Sequence, residues 1–166
     1  TGAFTAMINK LLSSKAKDSK LFVPICMIVF ALAGSTYGEM ETVYGLIPIF
    51  VALAIALGYD ALVGMCMSGM AVAVGFASAT TNPFTIGIAQ SYAELPMFSG
   101  LLYRWIIFFV FVSVSIIFVM RYANKIKKDP TKSLLYGMDF SAFKVDTESH
   151  TEFTTKHKIL MLGMVV

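Results

Sequence analysis

Two short polar stretches interrupt long apolar runs in this chain, and their residue types can replace the water shell of a small ion. The first is Ala33-Gly34-Ser35-Thr36-Tyr37-Gly38, with Glu39 and Glu41 close behind. Its glycines permit a tight turn. Freed backbone groups and the Ser35 and Thr36 hydroxyls then offer both donors and acceptors. The second is Ser78-Ala79-Thr80-Thr81-Asn82-Pro83. Pro83 has no amide hydrogen, so a helix running into it loses a rung of its ladder and leaves carbonyls in need of partners. Oxygens from Ser78, Thr80, Thr81 and Asn82 suit a hard cation, and Ser78, Thr80 and Asn82 are the candidate ligands for Na⁺. Amide N–H groups at the start of a half-helix from Phe84 suit a substrate carboxylate. The plainer alternatives are an external loop for Gly34–Glu41, and a proline kink or periplasmic loop for Ser78–Pro83.

The charged residues nearby set the substrate class. Glu39 and Glu41 each cost about 2.5 kcal/mol or more at the centre of a span. There they need a cavity, a cationic substrate or a proton; the alternative is two solvated loop charges. Asp60 reads as a turn residue capping a helix from Ala61. Arg104 reads as an outer interfacial charge rather than a substrate clamp. Cys26 and Cys66 lie in apolar runs and read as small buried hydrophobes. His150 and His157 lie in a polar loop with no Cys or Asp partner at ligand spacing, so no metal centre is expected. No Gly-rich phosphate loop, HExxH or GxSxG is present, and no cofactor is expected. The 11 Met and 14 Phe read as lipid-facing or packing residues.

The elements that carry these breaks belong in a membrane. Of 166 residues, 57% are hydrophobic and 14% charged, against about 45–50% and about 25% in soluble domains. A net charge of +3 is no basic field for nucleic acid. Charge is segregated. Net +3 precedes Leu21, the hundred residues Leu21–Met120 hold five charges, and Arg121–Lys132 carries net +4. Apolar segments bracketed by basic clusters describe membrane helices between juxtamembrane loops. We read 1–12 as the end of a preceding helix and 13–20 as a basic cytoplasmic loop. Residues 21–59 form a re-entrant helical hairpin or two spans, and 61–93 a broken helix rich in Gly and Ala that let backbones approach. A span follows at 101–120, then a cytoplasmic loop at 121–155 and the start of another span at 156–166. The chain opens on Thr1 and ends in an apolar run, so it reads as a fragment of a longer protein.

Both basic clusters face the cytoplasm, which makes the number of crossings between them even. Either all four apolar segments cross, or 21–59 is a re-entrant hairpin while 61–93 crosses once as a broken helix. Ala61–Ala93 is 33 residues, about 50 Å if helical throughout, against a hydrocarbon core of about 30 Å. An unwound stretch at Ser78–Pro83 absorbs the excess. Irregular backbone at that depth survives only beside protein or a water-filled cavity, and it marks transporter binding sites.

Several segments resemble one family in order. They are Thr36-Tyr37-Gly38, Gly58-Tyr59-Asp60-Ala61-Leu62-Val63-Gly64, Asn82-Pro83-Phe84 with Gly87-Ile88-Ala89, and Phe118 through Ser133. The sequence is similar to YfcC-family membrane transporters, grouped with C4-dicarboxylate anaerobic carriers and described as basic amino-acid antiporters. The wider ion-transporter superfamily includes sodium–dicarboxylate symporters. The resemblance covers essentially the whole chain and about a third of a typical member. It implies two inverted repeats, each with a re-entrant hairpin and a broken helix at the site, and so favours the hairpin model. Carried over by position, Ser35, Thr36, Ser78, Thr80 and Asn82 line that site. The sequence departs from the family where Met40 separates Glu39 from Glu41, and where Ser78-Ala79-Thr80 replaces Gly-Ser-Thr.

The expectation is therefore an all-α polytopic membrane protein, one repeat of an inverted-repeat transporter in a bacterial inner membrane. It moves a small organic ion, with Na⁺ or H⁺ as coupling ion. Glu39 and Glu41 tilt the substrate toward a basic amino acid over a C4-dicarboxylate. The expected site set is Ser35, Thr36, Glu39, Glu41, Ser78, Thr80, Thr81 and Asn82. Expected partners are the bilayer, the missing second half of the chain and a second copy in a homodimer, with no nucleic acid. A polytopic membrane enzyme using Glu39, Glu41 or Asp60, and a structural subunit, are the competing classes; no nucleophile supports the enzyme.

Overall fold

The computed structural model describes residues 21–143. The expected helix end at 1–12, the loop 13–20, the loop beyond Phe143, the segment 156–166, and His150 and His157 lie outside the described residues. Regular structure among the described residues is helical, in the order α1 (Phe22–Thr36), α2 (Glu41–Ala56), α3 (Ala61–Ala77), α4 (Pro83–Tyr92) and α5 (Leu101–Lys128).

Local chemistry sets most boundaries. Pro24 lies in the first turn of α1, where its missing N–H has no helical partner to lose. Gly38 adopts φ +79° and lets the chain turn from α1 into α2. The Gly58-Tyr59-Asp60 turn ends α2. Asp60 then caps α3, its Oδ1 accepting from Val63 N at 3.0 Å. α3 widens into a π turn at Cys66–Met70 that the sequence pattern did not suggest. α4 opens with a π turn at Pro83–Gly87 and continues as Ile88–Tyr92.

α5 differs from the expected span at its end. It passes Met120 and runs to Lys128, taking Arg121 and the lysines into the helix rather than into the loop. Lys125, Lys127 and Lys128 occupy its last turn, where cations complement the helix dipole. At 28 residues it measures about 42 Å. Among the described residues it is the one helix long and apolar enough to cross a bilayer by itself; α1, α2 and α3 are shorter apolar helices.

Packing gives the bundle two ends. At one, Val23 and Met27 of α1, Leu53 and Leu57 of α2, and Val63 and Met67 of α3 share a core with Val119, Ala123 and Ile126 of α5. At the other, Ala31 meets Phe108 and Val112. The α1–α2 hairpin thus opens toward the basic end of α5, and α1 and α3 rise together toward the two breaks. Small residues make this possible. A Cβ on Gly75 would collide with the Ala31 carbonyl, and one on Gly34 with the Val72 carbonyl. Backbone here lies against backbone, the close approach that glycine permits between membrane helices.

The end opposite the breaks is braced separately. Asp60 Oδ2 accepts from Tyr122 Oη at 2.5 Å and from Ser133 Oγ at 2.6 Å. Tyr122 Oη in turn accepts from Leu134 N at 3.1 Å. Lys127 lies 4.9 Å from the centre of the Tyr59 ring. Asp60 is thus the cap read from sequence and also the anchor between α3 and the segment after α5.

Candidate binding site where the two breaks meet

The problem at the top of the bundle is one of unsatisfied backbone. α1 ends at Thr36, so the carbonyls of Ala33, Gly34, Ser35 and Thr36 have no continuing helix to receive. In an apolar setting each orphan costs several kcal/mol. The chain turns back on one of them. Tyr37, Gly38 and Glu39 N–H groups converge on the Ala33 carbonyl at 3.3, 3.2 and 3.4 Å. The other three are satisfied from the second break, more than forty residues away.

Asn82 Nδ2 donates to the Gly34 carbonyl at 2.9 Å. Thr80 N and Thr81 N donate to the Ser35 carbonyl at 3.0 and 3.2 Å, and Thr80 Oγ1 joins them at 3.2 Å. Thr81 Oγ1 donates to the Thr36 carbonyl at 3.0 Å. The Ser35 side chain closes the joint. Its Oγ accepts from Thr80 N at 3.1 Å, and its one proton lies within reach of the Ser78 carbonyl (3.2 Å) and Thr80 Oγ1 (3.1 Å). Ser35, Ser78, Thr80 and Asn82 are buried.

Asn82 has a second task. Its Oδ1 accepts from Phe84 N at 2.9 Å and Thr85 N at 3.3 Å, capping α4. One side chain thus closes the end of α1 and the start of α4. Gly38 makes room for it, because a Cβ there would stand 2.8 Å from Asn82 Oδ1 and 2.6 Å from the Phe84 ring.

The expected residues are therefore placed as follows. Ser35, Thr36, Ser78, Thr80, Thr81 and Asn82 come together at one joint. Thr36 Oγ1 itself is committed to the Leu32 carbonyl in its own helix at 2.7 Å. Ser78 Oγ is likewise held by the Val74 carbonyl at 2.7 Å. Glu39 follows Gly38 and is half-buried; Glu41 is exposed in the first turn of α2, where a negative charge suits the helix dipole. Neither carboxylate has an ion-pair partner among the described residues. No three His, Cys, Asp or Glu side chains among the described residues converge to hold a metal ion.

Two residues enter the site that the sequence reading set aside or passed over. Arg104 donates from Nη1 to the Thr80 carbonyl at 3.4 Å, so the residue read as an interfacial charge reaches the break. Thr85 Oγ1 is a buried hydroxyl atom without a hydrogen-bond partner, beside the Asn82 cap. No sequence signal marks Thr85. Arg104 had one: it is the only basic residue between Leu21 and Met120. Its place is set by the loop before α5. Gln90 is buried, its Oε1 accepting from Phe98 N at 2.6 Å and its Nε2 donating to the Ser99 carbonyl and Oγ at 3.1 and 3.0 Å.

Comparison with known proteins covers the whole of this architecture. The family model for the C4-dicarboxylate anaerobic carriers (DcuC) matches residues 1–166. The chain is 32% identical over 139 residues to an Escherichia coli K12 protein named "Putative basic amino acid antiporter YfcC", covering 84% of this chain and 28% of that one. It is 30% identical over 168 residues to an uncharacterised protein of Haemophilus influenzae, covering 97% of this chain and 33% of that one. The chain spans about a third of the length of these relatives. No solved structure matches it.

Proposed function

The chain belongs to the C4-dicarboxylate anaerobic carrier family, and from that premise we propose that it forms half of the binding site of a secondary transporter. The observation that carries this reading is the joint between the two breaks. Helix ends with buried hydroxyls, an amide and irregular backbone have been placed together inside apolar segments, an arrangement tolerated only against protein or a water-filled cavity and recurrent at transporter binding sites. In this reading α1 and α2 form a re-entrant hairpin entered from the cytoplasmic side of a bacterial inner membrane. α3 and α4 form one broken span, and the second repeat, in the remainder of the protein, completes the site. A second copy makes a homodimer.

The substrate is a small organic ion exchanged or driven by Na⁺ or H⁺, with Na⁺ held by oxygens of Ser78, Thr80 and Asn82. Half-buried Glu39, without a counter-charge among the described residues, supports a basic amino acid. Glu41 adds negative charge at the hairpin tip. Ser35, Thr36, Thr81 and Asn82 shape the joint against which the substrate rests. The second reading, a C4-dicarboxylate, draws on Arg104 at the break and on the start of α4.

Counterflow in proteoliposomes of the full-length protein tests both, with arginine, ornithine and lysine beside succinate, fumarate and malate. Exchange of the basic amino acids alone fits the role given to Glu39. Exchange of dicarboxylates alone removes it. Vectorial movement of none of the six refutes this transport reading. Topology has its own test: in a Cys26- and Cys66-free background, Met40→Cys should label poorly from outside with an impermeant thiol reagent. Strong labelling from the periplasm alone would mean four full spans.

A further inference from the structure

Arg104 stands where local physics disfavours it. It is the fourth residue of a 28-residue helix, so its cation sits at the positive end of the helix dipole. It lies about 25 Å along α5 from Arg121 at the basic end, within the thickness of a hydrocarbon core of about 30 Å. Among the described residues no carboxylate comes within ion-pair distance of it. The residue is half-buried. A guanidinium has five N–H donors in a planar fork, yet one contact is made here, to the Thr80 carbonyl at 3.4 Å. That length is beyond the usual range for a sound N–H···O bond. The rest of the fork is uncommitted.

Its neighbours hold it at the break. Gln90 fixes the loop at Phe98 and Ser99, just before α5 begins. Trp105, next along the helix, packs on the cluster of Ala31, Phe108 and Val112 that joins α5 to α1. The first turn of α5 is therefore braced on both sides. A membrane protein that needed only a strut here could use a neutral side chain at far lower cost in desolvation.

We propose that Arg104 receives a carboxylate of the transported molecule, with the Thr80 carbonyl orienting the fork. The proposal rests on the transport reading but not on the choice of substrate class. A basic amino acid and a dicarboxylate share this group, and the planar fork matches it with two parallel hydrogen bonds. Arg104 is then the residue that distinguishes a carboxylated substrate from the same molecule without its carboxylate.

The experiment is counterflow in proteoliposomes of the full-length protein with matched pairs: arginine against agmatine, lysine against cadaverine, and succinate against succinamide. The pair that the wild type handles identifies the source of the carboxylate. Arg104→Gln should narrow the preference for the carboxylated member by about tenfold to a hundredfold, the worth of one charge-assisted hydrogen bond. It should do so by raising KM for that member more than for the partner that lacks the carboxylate. A strut would instead lower the maximal rate for both members equally, and that result overturns the proposal. So does an unchanged preference in Arg104→Gln. If Arg104→Gln does not elute as a folded protein, Arg104→Lys decides, since it keeps the charge and loses the fork. A KM raised for the carboxylated member alone supports the proposal, and an unaltered KM overturns it. Wild-type protein that exchanges no member of any pair refutes the transport reading itself, and the proposal falls with it.

Discussion

Replacing Asn82 separates its two jobs, and the size of each can be worked from its contacts. The Nδ2 group satisfies the Gly34 carbonyl at 2.9 Å, and Oδ1 caps the Phe84 and Thr85 amides at 2.9 and 3.3 Å. Asn82→Ser keeps a short oxygen at the cap position, where serine serves about as well as asparagine. It has no arm that reaches Gly34. The variant should therefore lose the cost of one buried, unpartnered carbonyl, about 1–3 kcal/mol. Asn82→Ala loses the cap as well, for about 1 kcal/mol more and a total of about 2–4 kcal/mol. The assay is equilibrium unfolding of the full-length protein in detergent, with thermal melting as a check. If Asn82→Ser matches the wild type within about 0.5 kcal/mol, the bond to Gly34 does not hold the breaks together. If Asn82→Ala equals Asn82→Ser, the cap on α4 is worth nothing. Either result would refute the reasoning that one side chain closes two helix ends. Transport should fall in both variants, more in Asn82→Ala.

Three further expectations follow from neighbouring geometry. Ser35→Ala and Thr80→Val should each destabilise by about 1–3 kcal/mol and couple by about 0.5–3 kcal/mol in a double-mutant cycle, because they share hydrogen bonds; additive losses would dissolve the joint into separate contacts. Gly75→Ala should destabilise by about 1–3 kcal/mol, since its new methyl meets the Ala31 carbonyl, whereas Gly45→Ala, with open space around it, should gain about 0.5–1 kcal/mol in unfolding assays. Equal effects at the two glycines would remove the close crossing of α1 and α3. Asp129, exposed beyond α5, has its carboxyl held below the usual carboxylate range, first by the Thr131 hydroxyl and then by Lys132. Its folded-state value is depressed, so its contribution to the turn at Pro130–Lys132 is present above the unfolded value and lost as pH falls through the folded one. Hydrogen exchange at Thr131 N, corrected for the intrinsic pH effect, should accelerate over that acid window and stay flat in Asp129→Asn.

The breaks were legible in the sequence because polarity inside an apolar run is a sharp contrast. Gly34-Ser35-Thr36 and Ser78 through Pro83 are the places where such runs falter, and Pro83 alone dictates a break behind it. The pairing of these breaks was less legible. Nothing local in Thr80 or Asn82 states that its partner is the end of a helix over forty residues earlier. What points that way is an accounting rule, that buried helix ends find donors. The Asp60 cap was readable from one residue type before an apolar run. Its bonds to Tyr122 and Ser133 were not, because contacts that distant leave no periodic trace. The extension of α5 to Lys128 was hidden by the habit of ending a span at the first charge. A helix that leaves the hydrocarbon does not have to stop, and lysines at its carboxyl end favour its continuing.

The contact of Arg104 with the break was hard to read for a related reason. Near the start of a span, an arginine is ordinarily an anchor whose head reaches water. Two features set this arginine apart from an ordinary anchor. The first is direction: an anchor is best placed at a helix's carboxyl end, and this cation stands at the amino end. The second is the break itself. A carbonyl in irregular backbone draws a donor that a regular helix would never attract, since its own ladder would already have used the oxygen. Thr80 supplies that carbonyl because Asn82 and Pro83 stop α3 and restart the chain as α4, and because Ser35 holds Thr80 in place through its amide. The position of the charge is therefore a consequence of the joint. Remove Ser35 or Asn82 and the carbonyl that steers the guanidinium is released with them. The hydroxyls, the amide and the arginine thus form one structural unit, spread over the end of α1, the break between α3 and α4 and the start of α5, and its geometry exists only when all three are docked.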